Sequence, residues 1–68
     1  MNNEKLVYSI AETARVLGIS RPTVYRLLER DSFPAFRIGD RTLVSIKGLA
    51  EWVDRQSYGK ENTDVRAN

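Results

Sequence analysis

Ser9-Ile10-Ala11-Glu12-Thr13-Ala14-Arg15-Val16-Leu17-Gly18-Ile19-Ser20-Arg21-Pro22-Thr23-Val24-Tyr25-Arg26-Leu27-Leu28-Glu29-Arg30 holds two helix starts separated by a glycine stop. Ser9 stands three residues before Glu12, the spacing of a reciprocal cap in which each side chain satisfies a backbone N–H beside the other, so a helix opens there. Gly18 ends it, because glycine takes a left-handed backbone without steric cost. Ser20 caps a second start, and Pro22 falls in the first turn, where a missing N–H does no harm. The spacing predicts helices over about 10–17 and 21–29. Ile10, Ala14 and Leu17, with Ala11 beside them, form one apolar stripe, and Val24, Leu27 and Leu28 form the other. The interval between the helices is too short for them to stand apart, so they must cross and share one core. Ala14 suits the crossing, since a larger side chain would hold the helices apart.

Outward from this stretch the patterns change. Residues 1–6 are polar and are expected to be a flexible N-terminus, with Val7 or Tyr8 as a hydrophobic staple before the Ser9 cap. Downstream, Phe33-Pro34 forces extended backbone before the proline. Phe36-Arg37-Ile38 and Leu43-Val44 then bracket Gly39-Asp40, turn residues favoured in tight hairpins. Alternation is read as placing Phe36 and Ile38 inward and Arg37 outward. A two-residue turn and a four-residue turn aim Arg41 and Thr42 differently, and both leave Arg41 at or beside the tip. A two-stranded hairpin is marginal alone and must lie on the helices. Ser45 caps a third helix over about 46–55, whose buried side comprises Ile46, Leu49, Ala50, Trp52 and Val53, with Trp52 the expected keystone of the core. From Ser57 the pattern dissolves, and 57–68 is expected to be a disordered tail. The fold class is therefore mainly α with a small β-hairpin: three helices plus a two-stranded wing, in one domain over 7–56.

Bulk properties narrow the chemistry. The chain has 68 residues, a formal net charge of +2 and a sequence pI of about 9.3. It contains no cysteine and no histidine, so disulfides, thiolate zinc, the commonest general base and the commonest metal ligand are all missing. Glu12, Glu29, Asp31, Glu51 and Asp54 are scattered over capping and surface positions, and no phosphate-binding glycine loop accompanies them. An enzyme is not expected, nor are a cofactor, a metal or a small-molecule ligand. Nothing approaches the roughly 20 apolar residues that span a bilayer, and a secretory signal is not expected. A cytoplasmic protein without a membrane partner is the expectation.

The second helix carries the chemistry. At about 100° per residue, Arg26 lies nearly opposite the Val24-Leu27-Leu28 stripe, flanked by Pro22, Tyr25, Glu29 and Arg30. A short helix with an outward cationic and aromatic face, held across a partner helix, is the minimal device for placing side chains in the major groove of double-stranded DNA. Ser20, Thr23 and the N–H groups of the first turn suit a phosphate, and Arg21 reaches one too. Arg26 has the planar fork that reads guanine O6 and N7. Tyr25 offers a hydroxyl to phosphate and a ring edge to a thymine methyl. Arg30, Arg37 and Arg41 would flank the groove, with Arg41 entering a minor groove or pairing with the backbone. Against these stand plainer readings: solvated charges, a Glu29–Arg26 pair, a Tyr25 ring laid over the helix, and an Arg37 that merely protects a sheet edge.

Several segments together resemble the excisionase-type DNA-binding proteins of phages and integrative elements, relatives of the MerR winged helix-turn-helix group. They are Tyr8-Ser9-Ile10-Ala11-Glu12-Thr13-Ala14, Leu17 through Leu28, Phe33-Pro34-Ala35, Arg37-Ile38-Gly39-Asp40-Arg41 and Leu49-Ala50-Glu51-Trp52-Val53. The chain departs from that pattern at Asp31-Ser32-Phe33, which replaces a glycine-containing link, and at Thr42, where a bulkier or basic residue is common. The resemblance implies a winged helix-turn-helix with the second helix as recognition helix and the hairpin as wing. It further implies a directionality factor that binds and bends attachment-site DNA, assembles cooperatively with copies of itself, and helps an integrase (a tyrosine recombinase) run excision. Such a protein works at the bacterial nucleoid. One alternative is a small prophage regulator of the AlpA type. Another, of a different class, is a protein-interaction module that has lost DNA binding.

Overall fold

The computed structural model describes the backbone of residues 4–61 and the side chains of 4–58. The elements in chain order are β1 (Val7–Tyr8), α1 (Ile10–Leu17), α2 (Arg21–Leu27), β2 (Ala35–Ile38), β3 (Arg41–Ser45) and α3 (Ile46–Glu61). Three helices and an antiparallel sheet of order β1-β3-β2 make a winged-helix-like fold.

The capping signals act as their chemistry requires. Ser9 Oγ accepts from Glu12 N at 3.1 Å while Glu12 Oε1 accepts from Ser9 N at 2.9 Å, and Lys5 Nζ holds the other carboxylate oxygen. Gly18, at φ 71°, ends α1 in the left-handed region, and the following N–H of Ile19 reaches back to Ala14 O at 3.0 Å. Ser20 Oγ accepts from Thr23 N at 3.3 Å and opens α2. Thr13 and Val24 are wholly buried where α1 and α2 meet, with Ala14 nearly so. Thr13 belongs there because its Oγ1 donates to Ser9 O at 2.8 Å, leaving no unsatisfied hydroxyl.

Four features of the backbone and sheet depart from the sequence expectations. First, Val7–Tyr8 is a strand, paired with the end of β3 through Val7↔Ser45 and Tyr8↔Val44, so the hairpin is part of a three-stranded sheet. Two residues carry no periodicity of their own, and only their partner makes them a strand. Second, α2 stops at Leu27, and the chain winds down through tight turns: Glu29 N to Arg26 O, Arg30 N to Leu27 O and Phe33 N to Arg30 O, at 3.0–3.2 Å. No glycine follows α2 to supply a left-handed stop, so three-residue turns satisfy its last carbonyls instead. Third, α3 runs to Glu61 rather than to about 55. Its apolar stripe ends near Val53, but burial and helicity are different things, and no glycine or proline interrupts the backbone until Gly59. Of the expected tail, residues 57–61 are helical and 62–68 lie outside the described residues, as do residues 1–3 of the expected flexible N-terminus.

The fourth departure reverses the hairpin. β2 and β3 pair as Ala35↔Val44, Phe36↔Leu43, Arg37↔Thr42 and Ile38↔Arg41, closing a two-residue turn at Gly39-Asp40 in which Gly39 takes φ 61°. Directly paired residues share a face and neighbours alternate. Val44 is fully buried, so Ala35 and Val44 define the inner face. Arg37 and Thr42 lie on that same face further out. Phe36 and Ile38, expected inward, are 41% and 61% exposed on the opposite face with Leu43 and Arg41. The aromatic that fills the core is instead Phe33, set by the bend at Pro34, where Ala35 N bonds Phe33 O at 2.8 Å.

The core proper is Phe33, Val44, Leu49 and Trp52, with Tyr8, Leu17, Leu27, Leu28 and Ala35 packed around it. Phe33 and Trp52 meet edge to face, ring centroids 5.0 Å apart, a geometry favoured by the aromatic quadrupole. Ala50 and Val53, expected inside, are exposed. Ser45 caps α3 by accepting from Gly48 N at 2.9 Å. Gly48 is required by space: a Cβ there would sit 2.8 Å from Pro34 Cβ and 3.1 Å from Ser45 Oγ.

Two predictions follow from this packing. Gly48→Ala gains helix propensity of about 1 kcal/mol, but it collides with a proline that cannot swing away. Net destabilisation of about 1–2 kcal/mol is expected, visible as a thermal midpoint lowered by several degrees. The second concerns Glu12, whose carboxyl is held below the ordinary carboxylate range, first by the Lys5 ammonium and next by the Ser9 N–H. A depressed folded-state pKa stabilises the fold above the unfolded-state value, and that contribution is lost as pH falls through the folded-state value. Wild type should therefore melt above Glu12→Gln at neutral pH, and the gap should close on acidification. A gap independent of pH would remove the charge from the cap.

Candidate nucleic-acid interface

The α1–Gly18–α2 crossing leaves one face of α2 in solvent. With Val24 at zero exposure on the inner side, helical spacing turns Pro22, Tyr25 and Arg26 outward together, and all three are exposed, as is Glu29 in the turn that follows. Tyr25 is 55% exposed. Arg21 is exposed at the first helical position, Arg30 is exposed in the turn beyond α2, and Thr23 is half-buried. Thr23 Oγ1 lies 2.9 Å from Ser20 Oγ, so both hydroxyls are already engaged in the cap, and a phosphate there would share them with it.

The hairpin starts beside the far end of α2. Leu28, Ala35, Phe36, Arg37 and Thr42 line a shallow depression of about 280 Å³ between them. Arg37 therefore stands near α2, while Arg41, cross-strand partner of Ile38, lies beside the turn on the opposite sheet face. The expected trio of flanking arginines is thus divided: Arg30 and Arg37 belong to the α2 side, and Arg41 belongs to the hairpin tip. Thr42, which shares Arg37's face and the depression, was not among the expected site residues. The Gly39-Asp40 signal would have found it, because a two-residue loop pairs Arg37 with Thr42 by counting back from the turn.

Charge is distributed unevenly along the chain. Between Ser20 and Thr42 there are five arginines and three carboxylates (Glu29, Asp31 and Asp40), while the rest holds six bases and six acids. The whole net charge of +2 therefore belongs to the segment from α2 through the hairpin, with the link between them included. Among the described residues, none of those five arginines enters an ion pair. The alternative Glu29–Arg26 pair is not formed.

Other chemistry has little to stand on. Among the described residues no group of three or more His, Cys, Asp or Glu is placed to hold a metal ion. An open apolar groove of about 440 Å³ between α1 and α3 is lined by aliphatic side chains, Tyr8 and one carboxylate, Asp54. Among the described residues no helix is long and apolar enough to cross a membrane.

No curated protein and no solved structure matched the chain. A family model described as a helix-turn-helix domain matches residues 7–57, three quarters of the sequence and every element from β1 through most of α3. The family is one of DNA-binding domains, typically without enzymatic activity, and the crossed α1 and α2 are its defining pair. The chain belongs to the helix-turn-helix domain family.

Proposed function

We propose that this domain is a sequence-specific DNA-binding protein of the excisionase type, which binds and bends attachment-site DNA and steers an integrase toward excision. The observation that carries the reading is the outward face of α2, where Tyr25 and Arg26 stand in solvent directly behind the fully buried Val24. In this reading α2 enters the major groove. Arg26 reads guanine through its planar fork, Tyr25 contacts a phosphate or a thymine methyl, and Pro22 fits against the groove wall. Arg21, with Ser20 and Thr23 behind it, holds a phosphate where α2 begins. Arg30 and Arg37 hold the backbone where α2 ends, and Arg41 acts from the hairpin.

Size shapes the mechanism. A single module of this kind covers about 600–1,000 Å² of DNA-facing protein surface, thin for selecting one site in a genome. Several copies on adjacent sites, or one copy beside the recombinase, supply the missing affinity through cooperation. The site of action is the bacterial nucleoid, in the cytoplasm.

Arg26→Ala should weaken specific binding by about 1–3 kcal/mol and abolish stimulation in an excision assay with the cognate integrase, with its melting midpoint unchanged. A variant that binds and excises like wild type removes Arg26 from the interface. Wild type that binds its site without affecting recombination, yet silences an adjacent promoter, makes the protein a regulator of the AlpA type. Affinity should also fall steeply with salt, the log–log slope reporting the number of phosphates neutralised. A flat dependence would mark a protein-interaction module.

A further inference from the structure

The two-residue turn leaves a large aliphatic side chain in water at the tip of the hairpin. Ile38 is 61% exposed, more than Phe36 behind it on the same face, and it is the last strand residue before Gly39. A hairpin tip normally carries polar residues that blunt its tendency to associate. Here the tip presents an aliphatic knob with Arg41 directly across the ladder on the same face, the two Cβ atoms being about 4.5–5.5 Å apart as such pairs are. Gly39, at φ 61°, keeps the end of the ribbon tight. Along the chain, Phe36 and Leu43 are the next large apolar residues on either side of the turn.

We infer that Ile38 is an intercalating wedge: it enters the minor groove from the hairpin tip, inserts between two stacked base pairs and kinks the duplex, while Arg41 pairs with the backbone or groove floor beside it. The inference rests on the DNA-binding reading and gives the bend a physical agent. A two-stranded ribbon is broader than a relaxed minor groove of about 6 Å, so only the side chains of its tip enter, and the groove opens as the duplex bends. Apolar wedges of this type, isoleucine among them, partly unstack one base step and bend DNA toward the major groove. The wedge lies on the face opposite Arg37, which stays with α2, so the hairpin grips the groove wall and splits the stack at once. Unstacking is cheapest at pyrimidine–purine steps. A TA or CA/TG step is therefore expected beneath the wing, recognised with no hydrogen bond to either base. Asp40, exposed in the turn, works against the approach to phosphate, so Asp40→Asn should tighten binding.

The test uses the full-length chain and a duplex enriched from a random pool by the wild-type protein, with 2-aminopurine placed in turn at each step beneath the hairpin. Wild type should raise the fluorescence at one step and bend the duplex in an energy-transfer assay. Ile38→Ala, a change at an exposed site that leaves the fold intact, should abolish the fluorescence rise, reduce the bend and cost about tenfold in affinity. Ile38→Leu should restore all three. Replacing the flexible step by a stiff A-tract should weaken wild type and leave Ile38→Ala unmoved, a coupling that a merely structural role cannot produce. The wedge is overturned if wild type binds with no step brightening, or if Ile38→Ala bends DNA fully. It is overturned equally if Ile38→Ala keeps the bend on a single site and loses only the binding of a second copy, which would make this face a protein contact. Failure of wild type to enrich any duplex at low salt would instead defeat the DNA-binding reading itself.

Discussion

Phe33 against Trp52 is the contact on which the arrangement turns. Phe33 comes from the link after α2 and Trp52 from α3, while Val44 of β3 completes the cluster. Three parts of the chain that share no local signal are thereby held in one place. Remove either ring and the sheet loses its footing on the helices, because the remaining buried side chains are small or aliphatic. Gly48 serves the same contact from the other side. It lets the first turn of α3 approach Pro34 closely, so that the residue after Phe33 is clamped as well. The position of the hairpin relative to α2 is therefore set by packing, with no hinge glycine between them.

How much of this could be read beforehand depended on distance along the chain. Ser9 with Glu12, Gly18, and Ser20 with Pro22 were legible because a cap is settled within four residues, by hydrogen bonds the side chain makes to its own neighbourhood. The outward face of α2 was legible for the same reason: helical periodicity is local. The hairpin face was not. Phe36 and Ile38 are the larger apolar residues, and hydrophobicity alone sends them inward. The choice was made by the partnership of Ala35 with Val44 and by the presence of Phe33, which already filled the core. β1 was invisible because its two residues become a strand only when β3 lies alongside. α3 outran its apolar stripe because nothing in residues 54–58 forbids helix.

The same division governs the interface. Helical spacing could find Pro22, Tyr25 and Arg26, and the structure leaves all three exposed. Spacing could not separate Arg37 from Arg41, since that depends on which loop closes the hairpin. With Ile38 paired to Arg41, the two arginines take opposite faces, so the positive side of the molecule is two surfaces. One belongs with α2 and the other with the tip. The core between them carries no net charge into either.

The seven residues of α2 have a further implication. At about 1.5 Å per residue the helix is about 10 Å long, the height of about three stacked base pairs at 3.4 Å each. A word that short recurs by chance many times in every kilobase, whatever the quality of each contact. In the proposed reading, discrimination then comes largely from how readily a duplex yields and from how neighbouring copies are spaced along it. Mechanical pliancy of the target becomes as informative as its letters.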